Sequence, residues 1–346
     1  MLQTTLSHSS LSTFARARDA GAIDIIGAGI AGTWHALLLA KYGCRVTLHE
    51  RDSAAMSEAT SMVAGGMLAP DCEAEAAEPI ITRLGRRSLA LWRQEVPDTP
   101  FNGSLVVAHP RDRADFVRFA QLTNHHHRLA ADDVGQLEPA LAGRFGEALF
   151  FQDEGHVEPR RVLPRLHARL AEMGVSLRFG SERPPEPDAI VIDCRGLSAR
   201  DAMPGLRGVK GEMIVVETTE IALSRPVRLL HPRWPLYIVP RADHRFMIGA
   251  TSIESEDRGV SVRSALELLS AAYTVHPAFG EARIVELGTG LRPAFADNCP
   301  RISIGDGTVA VNGLYRHGFL LAPALAELTA AFLLRGEFDE EVMQWS

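Results

Sequence analysis

The amino-acid sequence predicts an α/β protein with two lobes, a Rossmann-like nucleotide-binding lobe and an inserted lobe built on an antiparallel sheet. The first observation is a strand, a glycine-rich turn, a helix and a second strand in succession over residues 23–50. The second is a largely apolar strand at 188–196, as expected of a parallel strand buried on both faces. The third is a set of alternating or β-rich runs between 208 and 252, separated by turn residues, which is typical of an antiparallel sheet.

The remaining elements follow from hydrophobic periodicity and from turn residues. Strands are predicted at 23–26, 44–50, 103–110, 175–180, 188–196, 208–218, 235–241 and 245–252, with a hairpin at 300–313. Helices are predicted at 30–43, 79–96, 111–122, after Pro159, at 262–275 and from Leu320 to Arg335. We expect both lobes to be discontinuous in sequence. The predicted ranges are 23–85, 151–205 and 285–346 for the nucleotide-binding lobe, and 86–150 and 206–284 for the substrate-binding lobe.

Length and composition are those of an ordinary globular protein, with 346 residues, 46% apolar and 23% charged. The net charge of −7 argues against nucleic acid or an anionic membrane as the main partner. No apolar run reaches the roughly 20 residues of a membrane span. The four cysteines are far apart, so we expect reduced thiols in a cytoplasmic protein and no metal site. Residues 1–22 lack the apolar core of a secretory signal and are expected to be a disordered extension.

The glycine-rich turn carries the clearest chemical signal. Residues 27–32 read G-A-G-I-A-G between a strand and a helix, and an acid ends the next strand 18 residues later. The first glycine makes the tight bend, the second lets a pyrophosphate approach the backbone, and the third lets helix and strand pack closely. The acid would accept hydrogen bonds from a ribose. The predicted contacts are Gly27, Gly29, Ile30, Ala31, Gly32 and Glu50. This pattern leaves NAD and FAD open, but a C-terminal segment that rejoins the same lobe favours a tightly held flavin.

Nine segments, taken in order from about residue 23 to 336, resemble a known family. They are "IIGAGIAG" with Glu50, "ATSMVAGGMLAP", "GHVEPRRVL", "VIDCRG", "RGVKGEMIVV", "PLYIVPR", "FMIGAT", "GTGLRPAFADNCP" and "NGLYRHGFLLAP". The combination resembles the glycine oxidases of the thiamine (thiazole) biosynthesis pathway, within the D-amino-acid oxidase superfamily of FAD enzymes. The resemblance implies a D-amino-acid oxidase-type fold, non-covalent FAD and a homo-oligomer. It also implies oxidation of glycine and other small amines to the imine, with O2 reduced to H2O2 and the imine supplied to thiazole formation.

The resemblance also implies the residues that bind the substrate. Arg292 matches the family's carboxylate-binding arginine, and a guanidinium suits this role because it offers a bidentate, permanently charged clamp. Tyr237 matches a tyrosine whose hydroxyl helps to hold the same carboxylate, and Arg316 matches an arginine near substrate and flavin. Two positions depart from the best-known relative, Ser252 in place of methionine and Pro235 in place of histidine, and they put the substrate range in question.

Further residues are implied for the flavin. Small residues at 64–67 would let the ring lie against backbone, and the N-terminus of the last helix would direct its dipole at the ring edge that becomes negative on reduction. His317 is a weaker candidate for acid–base chemistry than for a structural role. The predicted cofactor contacts are Arg51, Thr60, Ser61, Ala64, Gly65, Gly66, Met67, Gly196, His317, Gly318, Phe319, Leu320 and Leu321.

Two alternatives stay open from the sequence. One keeps the flavin and makes the protein a D-amino-acid or sarcosine dehydrogenase that passes electrons to a carrier instead of O2. The other is a non-catalytic flavoprotein, which the substrate cation expected in "GLRP" argues against.

Overall fold

The computed structural model describes residues 22–181, 189–231, 233, 235–305 and 307–345. The predicted extension, apart from Ala22, lies outside the described residues. The strands are β1 (Ala22–Ile26), β2 (Arg45–Glu50), β3 (Met67–Leu68), β4 (Ser104–Ala108), β5 (His127–Ala130), β6 (Glu147–Phe151), β7 (Gly155–His156), β8 (Ser176–Phe179), β9 (Ile190–Asp193), β10 (Arg207–Glu217), β11 (Val227–Leu230), β12 (Leu236–Pro240), β13 (Arg245–Gly249), β14 (Arg283–Ala294), β15 (Arg301–Ile304), β16 (Thr308–Asn312) and β17 (Met343–Trp345). The α-helices are α1 (Ile30–Lys41), α2 (Pro70–Glu73), α3 (Pro79–Glu95), α4 (Arg113–Leu122), α5 (Ala131–Leu137), α6 (Pro159–Glu172), α7 (Val262–Val275) and α8 (Gly318–Arg335).

The described part of the chain divides into two compact units, each discontinuous in sequence. The first comprises the described residues of Met1–Met62, Pro159–Gly208 and Arg292–Ser346, and the second comprises Val63–Glu158 and Val209–Leu291. The boundaries differ from the expected lobes mainly at 63–85, 151–158 and 285–291, which group with the second unit. The first two of these segments are joined by hydrogen bonds, including the pairing of β3 with β7. The nucleotide and substrate roles of the two units stay predictions.

The first unit contains a seven-stranded sheet in the order β17-β15-β16-β9-β1-β2-β8. β16, β9, β1, β2 and β8 are parallel to their neighbours in this run, whereas β15 is antiparallel to β16. The carboxyl ends of parallel strands meet at one edge of a sheet, where open α/β sheets bind their ligands. Gly27 follows β1, Glu50 ends β2, Gly196 lies three residues after β9 and Gly313 follows β16. These four residues therefore lie at the same edge of the sheet.

Glycines allow α1 to start very close to β1. A Cβ atom on Gly32 would lie 1.9 Å from the carbonyl oxygen of Gly27, so any residue other than glycine would clash there. Gly27 itself has φ of +98°, and a Cβ there would lie 2.6 Å from the carbonyl oxygen of Cys194. The sequence-based roles of these two glycines as a bend and as a close packing contact agree with this geometry.

The second unit contains an eight-stranded sheet in the order β14-β10-β13-β12-β11-β4-β6-β5. β10, β13, β12 and β11 pair antiparallel, as do β4, β6 and β5, while β11 and β4 pair in parallel. The sequence predicted the strands β4, β10, β12 and β13 of this sheet and missed β5, β6, β11 and β14. Its core includes side chains of α7, which packs on β12 and β13.

The sequence did not predict several elements of the structure, namely the strands β3, β5, β6, β7, β11, β14 and β17 and the helices α2 and α5, and it misplaced the start of α8. β5 and α5 occupy the polar segment 127–137, where no element was predicted because few apolar residues mark a period there. α8 begins at Gly318, two residues earlier than predicted, because the Leu321 N–H already donates to the His317 carbonyl oxygen at 2.8 Å. Among the described residues α8 is the one helix long and apolar enough to cross a membrane, but 72% of it is buried, and it packs against α1 as a core helix.

Candidate active site

The phosphate-type loop and Glu50 are joined by hydrogen bonds in the first unit. The Ala28 N–H donates to Oε2 of Glu50 at 2.8 Å, and the Asp52 N–H donates to Oε1 at 3.1 Å. Each carboxylate oxygen has two acceptor positions, so one position on each oxygen is left for the hydroxyls of a ribose. The loop amide thus orients the acid that the sequence predicts as the ribose ligand.

The start of α1 suits an anionic group. Its N-cap is Gly29, which has extended backbone and no side-chain cap, and the Ile30 N–H donates to Oγ of Ser61 at 3.1 Å. A Cβ atom on Gly29 would lie 3.1 Å from the same Oγ. An uncapped helix N-terminus with a glycine and a hydroxyl beside it is the arrangement that binds phosphates. These residues therefore fit the pyrophosphate of a dinucleotide cofactor. Thr60 precedes Ser61 in the same short 3₁₀ helix, while Arg51 is exposed and pairs with Glu58 at 3.7 Å.

His167 on α6 supports this loop and was missed by the sequence analysis. Its Nε2 lies 3.0 Å from the carbonyl oxygen of Ala28 and 3.0 Å from Oγ1 of Thr33, which itself donates to Ala28 at 3.0 Å. The side chain is buried, and this burial lowers the pKa of His167. The neutral imidazole of His167 therefore stabilises the glycine-rich loop through its contacts with Ala28 and Thr33. The only sequence signal was a histidine within the apolar stripe of an otherwise basic helix.

A second turn is held at the same edge of the sheet. Gly196 has φ of +58°, and its carbonyl oxygen accepts a hydrogen bond from Nδ2 of Asn312 at 2.8 Å. Oδ1 of Asn312 accepts from the Gly313 N–H at 2.9 Å. Gly313 has φ of +77°, and a Cβ there would lie 2.4 Å from the ring of Phe295. Asn312, which the sequence analysis did not single out, thus links the predicted cofactor contact Gly196 to the segment that precedes Arg316.

The segment from Tyr315 to Leu321 carries the last group of predicted residues. Tyr315 adopts a left-handed conformation with φ of +48°, Arg316 is exposed and His317 is buried. His317 is the N-cap of α8 but makes no side-chain cap hydrogen bond. The helix dipole therefore adds positive potential at the residues beside Arg316. Gly318, Phe319, Leu320 and Leu321 form the first turn of α8, and all but the glycine are buried.

Arg292 lies in the same unit as Arg316. It is half-buried near the end of β14, and the next residue, Pro293, accepts a hydrogen bond from the Tyr315 N–H at 2.9 Å. The backbone thus couples the two predicted substrate cations.

The glycines at 64–67 belong to the second unit, where Arg241 holds them. Its Nη2 donates to the Gly65 carbonyl oxygen at 2.6 Å, and its Nη1 donates to the Val157 carbonyl oxygen at 2.7 Å. The Val157 N–H donates to the Gly66 carbonyl oxygen at 2.8 Å. A Cβ on Gly65 would lie 2.7 Å from Cε of Met247, so a larger residue there would displace a side chain. Arg241 ends the segment "PLYIVPR", but its role could not be predicted from the sequence.

The two predicted pocket residues of the second unit are on different elements. Tyr237 is buried on β12, and its hydroxyl donates to Oε1 of Glu73 at 3.3 Å and lies 3.4 Å from Nη1 of Arg228. Ser252 is exposed in the segment after β13, between Thr251 and Ile253, whose backbones both bond to β10. Pro235 is exposed just before β12.

The predicted residues are therefore divided between the units. The first unit holds Gly27, Gly29, Ile30, Ala31, Gly32, Glu50, Arg51, Thr60, Ser61, Gly196, Arg292, Arg316, His317, Gly318, Phe319, Leu320 and Leu321. The second unit holds Ala64, Gly65, Gly66, Met67, Tyr237 and Ser252. Within the described ranges, no group of three or more His, Cys, Asp or Glu side chains could hold a metal ion. The roles of the residues in both sets stay predictions.

The fold and the glycine-rich loop define a class of dinucleotide-binding proteins, and comparison with known proteins identifies the family. Residues 23–332 match the model of the family described as FAD dependent oxidoreductase, DAO, and the chain belongs to this family. The cofactor of this class is FAD, which confirms the flavin expected from the sequence.

Individual relatives narrow the class. The chain is 51% identical over 319 residues to a Rhizobium etli protein named as a thiamine biosynthesis oxidoreductase, ThiO, with 91% of this chain and 97% of that protein covered. It is 27% identical over 347 residues to a glycine oxidase of Bacillus licheniformis, with 90% and 92% covered. These matches confirm the family resemblance seen in the sequence.

Solved structures share the fold. The glycine oxidase from Geobacillus kaustophilus superposes with a TM-score of 0.76 at 24% identity, and the match covers 92% of this chain and 96% of that one. Iminodiacetate oxidase from Chelativorans gives the same TM-score and coverage at 25% identity.

Proposed function

We propose that this protein oxidises glycine, and other small primary or secondary amines, to the corresponding imine, with O2 as the electron acceptor. The proposal is carried by two features of the first unit. Its glycine-rich loop is hydrogen-bonded to Glu50, and the segments of Arg292 and Arg316 are joined by the hydrogen bond from Tyr315 to Pro293. The similarity to proteins named ThiO and glycine oxidase supports glycine as the substrate.

The chain's residues would bind and orient the substrate. Arg292 would hold the carboxylate with a bidentate, charged pair of hydrogen bonds, and the hydroxyl of Tyr237 would donate to the same group. Fixing the carboxylate fixes the direction of the α-carbon, and this positioning is the chief contribution that the protein can make to a hydride transfer. No general base is required once the amine is neutral. Hydride loss leaves an iminium ion, and the N–H proton that this ion must lose to become the imine can pass to solvent.

A bound FAD would supply the redox chemistry, as acceptor of the hydride from the α-carbon and as donor of the two electrons that, with two protons, convert O2 to H2O2. Glu50 would hold its ribose, and the first turn of α1 with Ser61 would hold its pyrophosphate. Arg316 and the N-terminus of α8 would provide fixed positive potential where negative charge develops.

The proposed setting is a cytoplasmic homo-oligomer that supplies the imine of glycine to thiazole formation in thiamine biosynthesis. The test is an oxygen-uptake screen of the purified yellow protein with glycine, sarcosine, D-alanine and larger amines. Uptake of O2 with stoichiometric H2O2 and glyoxylate from glycine is expected. Turnover of glycine or another amine only with an artificial electron acceptor would replace this proposal with the dehydrogenase alternative, and no turnover of any amine would overturn it.

A further inference from the structure

Arg228 lies directly beside Tyr237 in the second unit. The two residues are cross-strand partners on the antiparallel pair of β11 and β12, so their side chains point to the same face of the sheet. Both are buried, with 7% and 8% of their surface exposed. The guanidinium carbon of Arg228 lies 5.4 Å from the centre of the Tyr237 ring and 4.8 Å from that of Phe119. The cation is thus enclosed between two aromatic rings.

The guanidinium is also fixed by hydrogen bonds. Its Nη1 donates to the carbonyl oxygen of Cys72 at 2.6 Å and to the hydroxyl oxygen of Tyr237 at 3.4 Å. Its Nη2 donates to Oε2 of Glu75 at 3.2 Å, and Arg118 binds the other oxygen of Glu75 at 2.7 Å. Burial by itself would lower the pKa of Arg228, but Tyr237 and the acidic groups around it raise that pKa, so the residue stays charged.

The hydroxyl of Tyr237 is held from two sides. It accepts from Arg228 and donates to Glu73 at 3.3 Å. Glu73 ends α2, and the first turn of that helix is fixed in turn by Glu154, whose Oε1 accepts from the N–H groups of Asp71 and Cys72 at 3.0 and 2.8 Å. The phenol of Tyr237 therefore accepts one hydrogen bond from a buried cation and donates one to an acid. Burying such a charge is costly, and replacing it by apolar side chains is often neutral or stabilising, so stability alone is a weak reason for its presence.

We propose that Arg228 is a positioning residue for substrate binding, which fixes the Tyr237 hydroxyl and makes it a stronger hydrogen-bond donor to the substrate carboxylate. This inference rests on the proposed function, in which Tyr237 holds that carboxylate. A hydroxyl that accepts a charged hydrogen bond is polarised, and its own O–H then donates more strongly. The phenol has one proton, so a bound carboxylate competes with Glu73 for it. The strength of the hydrogen bond from Tyr237 to Glu73 therefore limits how tightly the phenol can bind a substrate carboxylate.

The experiment measures carboxylate binding to the FAD-loaded protein without turnover. Acetate is titrated under anaerobic conditions and its Kd is read from the flavin absorbance, for wild type, Arg228→Met, Arg228→Lys, Tyr237→Phe and the double variant of Arg228→Met with Tyr237→Phe. Arg228→Met is expected to raise the Kd about 10-fold or more, and Arg228→Lys less, because one charged hydrogen bond is lost or weakened. The limiting rate of anaerobic flavin reduction by glycine should change less than about 3-fold, since the hydride-transfer geometry depends on the other carboxylate contact.

The double variant distinguishes positioning from a merely structural role. If Arg228 acts through Tyr237, Arg228→Met should have less than a roughly 2-fold effect on the Kd in the Tyr237→Phe background. An equal loss in both backgrounds, or no loss in either, overturns the inference. Glu73→Gln should lower the Kd for acetate, because a neutral amide competes less for the phenol proton. An unchanged or raised Kd in Glu73→Gln would remove Glu73 from the scheme.

Two further measurements keep the outcome interpretable. If Arg228→Met does not fold, as judged by FAD content and the urea midpoint, Arg228→Lys and Glu75→Gln carry the test, since the first keeps a cation at this position and the second keeps Arg228 and weakens its ion pair. Oxygen uptake by wild type with glycine tests the proposed function separately. Acetate binding that depends on Arg228 through Tyr237, with no amine oxidised, would refute the function and leave the positioning role intact.

Discussion

The backbone N–H of Tyr315 donates a hydrogen bond to the carbonyl oxygen of Pro293 at 2.9 Å. This bond ties the turn that precedes α8 to the end of β14, and it thereby couples the segments of Arg316 and Arg292 through the backbone. Tyr315 takes a left-handed conformation to make it, which a non-glycine residue adopts only at some cost. A side chain on Arg316 or Arg292 can therefore be removed without breaking the connection between the segments that carry them.

Removal of the Arg292 side chain should separate substrate binding from cofactor binding. We expect Arg292→Ala to keep its FAD and to raise the KM for glycine roughly 30- to 900-fold, equivalent to about 2–4 kcal/mol of charged hydrogen bonding. Steady-state oxygen uptake measures KM, and the absorbance ratio of flavin to protein measures loading. Arg263→Ala is the matched control, because Arg263 is an exposed arginine on α7 that pairs with Glu267 at 4.0 Å. An unchanged KM in Arg292→Ala would remove Arg292 from the substrate site.

Neutralising Glu50 should weaken the hold on FAD and leave the fold intact. Glu50→Gln keeps an oxygen for the Ala28 N–H but loses the charge and half of the acceptors available to a ribose. We expect the Kd for FAD to rise roughly 10-fold or more, measured by fluorescence as FAD is returned to the apoprotein. Glu172→Gln, which changes an exposed acid on α6, should leave the Kd unchanged. Full retention of FAD through extensive dialysis of Glu50→Gln would count against the ribose role.

Adding one methyl group at Gly32 should destabilise the apoprotein as well as the loaded enzyme. Its Cβ would lie 1.9 Å from the backbone oxygen of Gly27, and neither backbone segment can move without separating α1 from β1. We expect Gly32→Ala to lower the free energy of unfolding by about 2–4 kcal/mol. Urea denaturation of the apoprotein measures this directly. Gly146→Ala is the control, since nothing lies within 4 Å of the added Cβ, and equal stability of the two variants would contradict the packing argument.

The sequence predicted those parts of the site whose residues are close together along the chain. The three glycines of 27–32 and the acid at Glu50 obey fixed spacings, because one strand–turn–helix–strand unit positions all of them. The partner of the loop, His167, comes from 139 residues further along the chain, and Asn312 reaches Gly196 across 116 residues. No local pattern encodes such contacts.

The contact of Arg228 with Tyr237 shows a different limit of sequence reasoning. The two residues are only nine positions apart, but their contact depends on the register between β11 and β12. The sequence predicted β12 but not β11, and a slip of one residue in their pairing would place the arginine on the opposite face. A charged residue inside an apolar strand was the available signal.

Three buried ionisable groups should give the protein a stability maximum near neutral pH. Burial lowers the pKa of His35 to about 4, and burial, with the charge of Arg241, lowers the pKa of His156 to about 4. Burial raises the pKa of Glu154 to about 8, and its Oε2 has no hydrogen-bond partner among the described residues. The ordinary pKa values are 6.5 for histidine and 4.5 for glutamate.

The signs of the two effects are opposite. Between pH 6.5 and 4 the unfolded chain binds protons at both histidines that the folded protein does not, so stability falls as the pH is lowered. Between pH 4.5 and 8 the folded protein keeps a proton on Glu154 that the unfolded chain has lost, so this group's contribution falls as the pH is raised. Each group changes the free energy of unfolding by at most about 1.4 kcal/mol per pH unit within its window. The two histidines outweigh the glutamate below pH 6.5, and the glutamate alone acts above it.

Glu154→Gln should therefore abolish the decline in stability between pH 6.5 and 8 and leave the decline below pH 6.5 in place. The amide keeps an oxygen for the N–H groups of Asp71 and Cys72, so α2 stays capped, and no proton has to be lost as the pH rises. Urea denaturation of the apoprotein at half-unit intervals from pH 5 to 8.5 gives the free energy of unfolding at each pH. Glu172→Gln, at an exposed position on α6, should reproduce the wild-type curve. A Glu154→Gln curve that still falls as steeply as wild type above pH 6.5 would show that another group loses its proton there.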